Sequence, residues 1–190
     1  MKNKAEIINR IIQEVGAISY LEIGYGNGAN FNLITNGAQK IAVDPEPTGK
    51  PGTNVVKSTS DAFFALNTQS EVNFDVVFID GLHHADQVRK DIINALKCNA
   101  KAIILHDTIP PTEAHQIVPR KQLSWTGDVW RSVVGFKQSY PDVKLETYRA
   151  DYGLSVIYPE SKKVKKHFEN KEMTYDEFKA NEVELLNIID

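Results

Sequence analysis

The stretch YLEIGYGNGANF, Tyr20 to Phe31, runs from apolar residues into an acid and then into glycines at alternate positions, Gly24, Gly26 and Gly28. Its apolar part has strand length, and glycines directly after a strand permit a tight turn and the close approach of a ligand. A helix starting near Ala29–Asn30 would offer free N–H groups to that ligand. Working outward, four further apolar runs of strand length follow: KIAVDPE, NVVKST, FDVVFIDG and AKAIILHD. They are continuously hydrophobic rather than alternating, as in strands covered by helices on both faces. Helical segments separate them. DAFFALN is short, with Ser60 or Asp61 as its cap, and ADQVRKDIINALK is long, with Val88, Ile92, Ala95 and Leu96 along one face. This alternation predicts an α/β fold with a Rossmann-like, doubly wound and mostly parallel sheet, helices lying on both faces.

Beyond Asp107 the pattern changes. TIPPTEAHQIVPRKQLSWT holds three prolines and no clear period, so it reads as a long loop, of the kind that serves as a lid or binding segment. GDVWRSVVGFKQSY resumes a helical period through Trp130, Val133 and Val134, with Asp128 as its N-cap. We assign Trp130 to the core and Trp125 to a pocket wall. VKLETYRADYGLSVIY reads as two antiparallel strands joined at Tyr152–Gly153, which brings the expected sheet to seven strands. The remaining tail is charged and helical, with Phe178, Val183, Leu185, Leu186 and Ile189 docking it. The expected organisation is one domain over 1–190: an N-terminal helix (1–16), a core (17–158) and a helical tail (159–190).

Of the 190 residues, 42% are hydrophobic and 25% charged, the balance of a soluble globular protein. A net charge of −3 argues against nucleic acid as the main partner. The basic run from Lys162 to His167 reads as a solvated helix face. No apolar run approaches the roughly 20 residues of a membrane span. MKNKAEIINRIIQEV is an amphipathic helix rather than a signal peptide. Cys98 is the single cysteine, so the chain can form no internal disulfide and a cytoplasmic location is expected. Oligomeric state stays open.

The glycine spacing bears on the ligand. A dinucleotide fingerprint is G-x-G-x-x-G, whereas Gly28 arrives one place early and Glu22 precedes the first glycine. A carboxylate there repels a pyrophosphate and attracts a cation. S-adenosylmethionine carries a sulfonium and an ammonium and no phosphate. Asp44, which ends IAVD, can accept hydrogen bonds from both hydroxyls of a ribose.

With these features, Glu22 to Gly28 resembles the (E/D)-x-G-x-G-x-G motif of class I S-adenosylmethionine-dependent methyltransferases, and the resemblance extends from about Ile18 to Tyr158. FIDGLHHADQVRKDI and ILHD are most similar to small-molecule O-methyltransferases with I-D-G-x-H and H-D motifs. The resemblance implies that the glycine loop holds the methionine part, the acid after the second strand the ribose, and residues after the third strand the adenine. The implied cofactor contacts are Glu22, Gly24, Tyr25, Gly26, Asn27, Gly28, Asp44, Ser60, Asp61 and Asp80. Where relatives often have K-P-G-G before the fifth strand, this chain has Lys97-Cys98-Asn99-Ala100-Lys101.

Methyl transfer to a hydroxyl needs alignment and removal of a proton, by a base or through a metal. Asp80 and His83 are the candidate catalytic residues, with His83 preferred as base because its ordinary pKa suits neutral pH. Asp80 and Asp107 end adjacent strands and could converge on magnesium or another divalent cation, as such a pair does in some relatives. A third ligand would come from His83, His84 or the loop. His84 reads as a capping or surface residue, His106 either as a packed histidine or as an alternative base, and His115 has no assigned role. The expected partner is a small hydroxylated methyl acceptor, such as a sugar or secondary metabolite. The alternatives are an inactive S-adenosylmethionine-binding protein, an NAD(P)-dependent oxidoreductase and a nucleic-acid methyltransferase. The (N/D/S)-P-P-(Y/F) motif common in amino-methylating enzymes is absent after Asp80.

Overall fold

The computed structural model describes residues 3–36, 39–67, 73–159 and 167–189. The five apolar runs form strands β1 (Ser19–Ile23), β2 (Gln39–Asp44), β3 (Val55–Lys57), β4 (Val76–Ile79) and β5 (Ala102–His106). The hairpin supplies β6 (Lys144–Tyr148) and β7 (Leu154–Tyr158), and an unforeseen two-residue strand, β8 (Ile188–Ile189), adds to β6. The sheet therefore has eight strands, in the order β3-β2-β1-β4-β5-β7-β6-β8. The first five are parallel, and β7 runs antiparallel to both its neighbours. Chain order reverses between β1 and β4, so the connections diverge there and leave a crevice at the strands' carboxyl ends.

The helices are shared unequally between the two faces. One face carries α2 (Ser60–Asn67), α3 (Ala85–Lys97), α5 (Trp130–Ser139) and α6 (Tyr175–Leu186), which pack on Leu21, Val77, Ile103 and Ile157. The other carries α1 (Lys4–Glu14), whose Ile8, Ile11 and Ile12 cover Tyr20, Phe78, Ile104 and Val156. Alternate residues of β1, β4 and β5 feed the two cores, so both faces of these strands are apolar and their sequences show no alternation. The helix expected after the glycines is only a 3-10 turn at Phe31–Leu33. The loop after β5 contains one short helix, α4 (Glu113–Gln116).

Several local expectations change with packing. The cap of α2 is Thr59, whose Oγ1 accepts from the Ala62 amide at 3.2 Å. The turn before β5 places Asn99 at φ +55°, a conformation that asparagine tolerates in place of glycine. In the tail, Phe178 and Leu186 are buried while Val183 is 56% exposed. Five residues after Phe178, Val183 lies about 140° around the helix and off the docking face. Glu182 takes the inward place and pairs with Arg149 and Lys179. Asn187, at φ +50°, ends α6 before Ile189, which is strand rather than helix. Residues 162–166 of the basic run lie outside the described residues. No helix among the described residues is long and apolar enough to cross a membrane.

Candidate active site

Strand register collects the acids. Glu22 pairs with Ala42 on one side and Phe78 on the other, and Phe78 pairs with Ile104. Two residues further along, Asp44, Asp80 and His106 therefore emerge on the face that Glu22 occupies. The three glycines meet three different demands. At Gly24, φ is +94° and a Cβ would lie 2.1 Å from the Asp80 carbonyl oxygen, so the backbone of β4 excludes a side chain. At Gly28, the Tyr25 hydroxyl fills the space at 2.4 Å. At Gly26, φ is +54° and nothing lies within 4 Å. Only this middle glycine opens on space a ligand could take.

That space is a cavity of about 650 Å³. Glu22, Gly24, Tyr25, Gly26, Asn27, Asp44, Ser60, Asp61 and Asp80 line it, so of the expected cofactor contacts only Gly28 is outside the wall. Glu22 is 1% exposed, and its Oε2 accepts from the Tyr20 hydroxyl at 2.6 Å and from Asn30 Nδ2 at 2.8 Å. Burial outweighs these bonds and pushes the Glu22 carboxyl up to about 7. Asp44 accepts from the Gly26 and Glu46 amides at 2.8 and 2.7 Å, which fixes its orientation at the rim. On the far wall, Gln87 Nε2 donates to Ser60 Oγ, Asp61 Oδ1 and the buried Asp91 at 3.2, 3.0 and 3.2 Å. Burial raises the Asp91 carboxyl to about 6 against the hydrogen bonds from Ser60 and Gln87.

Beside the cavity lies a charge cluster. His106 donates from Nδ1 to Asp80 at 3.0 Å and from Nε2 to Asp151 at 3.1 Å. Burial opposes its charge, but Asp80, Asp107 and Asp151 prevail and raise its pKa to about 11. The three carboxylates around His106 favour its charged form. Asp80 is held well below the usual carboxylate range, because the charge of His106, bonds from His106 and His83, and Lys4 outweigh its burial. Lys4 Nζ, from α1, reaches Asp80 Oδ2 at 3.1 Å and Asp151 Oδ2 at 3.4 Å. The hydrogen bond from His106 brings Asp151 down to about 2.

His83 lies behind Asp80 and outside the cavity wall. Its Nε2 is 3.2 Å from Asp80 Oδ1 and its Nδ1 is 3.2 Å from Asp107 Oδ2. Trp125 stacks on its ring with centroids 5.6 Å apart, while Trp130 is fully buried against Phe178. Asp128 does not cap α5. Its Oδ1 accepts from the Ala85 amide at 2.7 Å and caps α3 instead, where His84 precedes the helix without a side-chain bond. Gly127 packs on the His83 carbonyl so closely that a Cβ would lie 1.8 Å from it. Asp107, at φ +59°, is 5% exposed, and its Oδ1 lies 3.4 Å from His106 Nδ1. Asp80, His106 and Asp107 each offer a ligand atom within 4.8 Å of the others. Among the described residues this is the group whose ligand atoms come that close, which makes His106 the candidate third ligand.

Solved structures share this fold. An O-methyltransferase from Bacillus cereus in complex with SAH aligns with a TM-score of 0.54 at 15% identity, over 82% of this chain and 80% of that one. The SAH-bound Podospora anserina methyltransferase PaMTH1 aligns with a TM-score of 0.57 at 14% identity, over 83% and 79%. Cofactor-bound Rv0187 from MTB aligns with a TM-score of 0.56 at 16% identity, over 82% and 78%. The chain has the class I methyltransferase fold. No protein-family model and no curated protein matches the sequence, so the likeness is one of fold.

Within this methyltransferase fold, the sequence reading overlooks Lys4, Gln87 and Asp151. The Gln87 side chain follows from the face of α3 turned toward Ser60, a signal present in the helical period. Lys4 and Asp151 carry no such signal: one reaches in from α1 and the other from the β6–β7 turn.

Proposed function

We propose that the chain is an S-adenosylmethionine-dependent methyltransferase acting on a hydroxyl of a small acceptor. The observation that carries this reading is the charge of the cavity wall. Glu22, Asp44, Asp61 and Asp80 face a space entered past Gly26, which suits a cationic, phosphate-free nucleoside and disfavours a pyrophosphate. In the reading, Glu22 and the glycine loop hold the methionine end, Asp44 the ribose, and Ser60 and Asp61 the adenine side. Methyl transfer forms a bond between the acceptor oxygen and the methyl carbon and breaks the carbon–sulfur bond, whose electron pair leaves with the thioether. The hydroxyl proton reaches His83 by way of Asp80, which lines the cavity and lies 3.2 Å from His83 Nε2. A neutral imidazole can donate to only one of Asp80 and Asp107, and Nδ1 makes no hydrogen bond. Gaining a proton gives both carboxylates a donor, which favours the ring as proton acceptor. Trp125 stacks on His83 and is not part of the cavity wall.

A second reading adds a divalent cation held by Asp80, His106 and Asp107. The convergence of their ligand atoms to within 4.8 Å favours it. Such an ion would lower the pKa of an acceptor hydroxyl, and His106 would have to release the proton that Asp80 and Asp151 stabilise. Calorimetric titration of the protein with S-adenosylhomocysteine and with NAD tests the cofactor. Uptake of the first and none of the second is expected; uptake of NAD alone overturns the proposal in favour of an oxidoreductase. Thermal shift with magnesium and manganese, in the wild type and in Asp107→Asn, decides the metal arm.

A further inference from the structure

We propose that Lys4, carried by the N-terminal helix, recognises the carboxylate of the cofactor's amino-acid end and so selects ligands that keep it. The inference rests on the cofactor reading above. Among the described residues, Lys4 is the one Lys, Arg or His in the cavity wall, facing Glu22, Asp44, Asp61 and Asp80. A wall of that sign welcomes a sulfonium and an ammonium, but it repels the carboxylate that completes the amino acid. One carboxylate about 4 Å from another costs on the order of 4 kcal/mol near a protein surface, before any compensation. A cation at the methionine end offsets that repulsion, and Lys4 is placed to supply it.

The lysine retains capacity for this contact. Its ammonium has three N–H groups. Asp80 Oδ2 and Asp151 Oδ2, at 3.1 and 3.4 Å, take two of them, and the side chain is 20% exposed. Lys4 also stands beside Glu22 electrically, since it opposes the upward shift of that carboxyl. An ammonium on Glu22 and a carboxylate on Lys4 would match the two ends of one amino acid.

Its place in the helix supports the assignment. Lys4 is the first residue of α1, after the Asn3 cap, where the helix dipole disfavours a positive charge. Nothing in the helix itself calls for lysine there. Its partners are Asp80, directly after β4, and Asp151 of the β6–β7 turn.

The test compares S-adenosylmethionine with its decarboxylated form, which keeps the sulfonium and the ammonium. Affinities of both are measured by calorimetry on the full chain for the wild type, Lys4→Met and Lys4→Arg. The wild type is expected to prefer the carboxylated ligand by about tenfold or more, the scale of one charge-assisted contact. Lys4→Met should bring the two affinities together, and Lys4→Arg should keep most of the preference. Equal weakening of both ligands in Lys4→Met would overturn the proposal, since Lys4 would then act only through Asp80. A wild type indifferent to the carboxylate would overturn it without recourse to any variant. If the wild type binds neither compound, the cofactor reading itself fails, a result distinct from the other two.

Discussion

Glu22 joins burial to ligand choice in a single side chain. Ordinarily a carboxyl of this type ionises near 4.5, and here burial raises it to about 7 against the hydrogen bonds from Tyr20 and Asn30. Between those two pH values the unfolded chain releases the proton and the folded chain keeps it. The unfolded state then binds fewer protons, so Glu22 subtracts stability as pH rises through that window, by roughly 3 kcal/mol in all. Below the window the residue is neutral in both states and contributes no pH dependence. The same ionisation strengthens its attraction for an ammonium. S-adenosylhomocysteine affinity is therefore expected to rise between about pH 6 and 8, while thermal stability of the free protein falls over the lower part of that range. Glu22→Gln should flatten both trends, and calorimetry and melting curves across pH measure them. A Gln variant with the wild-type pH profile of binding would show that another group governs it. The glycines nearby make the companion point: one residue type serves backbone contact at Gly24, side-chain packing at Gly28 and open space at Gly26.

At the level of elements, the chemistry depends on how the β4–α3 connection is held. Asp128 caps α3 through Ala85, and Gly127 seats the same segment against the His83 carbonyl. Removing such a cap typically costs about 1 kcal/mol. Asp128→Ala is expected to lower stability by that amount and to loosen His83, read as faster amide exchange in the first turn of α3. Asp128→Asn, which keeps an acceptor, should restore most of it. Were the cap on α5 the important one, exchange would quicken around Trp130 instead. This pairing also marks the boundary of what was legible in the sequence. Strands β1, β4 and β5 are readable because burial on both faces leaves unbroken apolar runs, and Asp44, Asp80 and His106–Asp107 are readable because they end apolar runs. The helix expected after the glycines, the cap assigned to α5 and the docking role of Val183 were not readable correctly. Each depends on which neighbour packs there: a three-residue turn suffices between β1 and β2, α3 competes for Asp128, and Glu182 takes the inward place. Asp151 and Lys4 stay hidden for the same reason, since tertiary packing alone brings them to Asp80 and His106.

Across the whole molecule the sheet is lopsided. Four helices cover one face, and α1 with the 3-10 turn after the glycines covers much of the other. The second core therefore depends on Ile8, Ile11 and Ile12, at most 1% exposed, and its edge is the cavity that Lys4 lines. An element with one layer of contacts opens more readily than one set among others. If Lys4 grips the ligand, ligand binding and docking of α1 are linked, and each must strengthen the other. Ligand at about 100 times its dissociation constant adds roughly 2.7 kcal/mol to the bound, docked state. Amide exchange in α1 is accordingly expected to slow on adding S-adenosylhomocysteine, by more than exchange in α6 on the opposite face. Ile11→Ala, which costs about 2–5 kcal/mol by emptying part of this core, should weaken S-adenosylhomocysteine binding although Ile11 is no part of the cavity wall. Slowing confined to the glycine loop and α2, with α1 unchanged, would mean that α1 is a cover for the core and takes no part in holding the ligand.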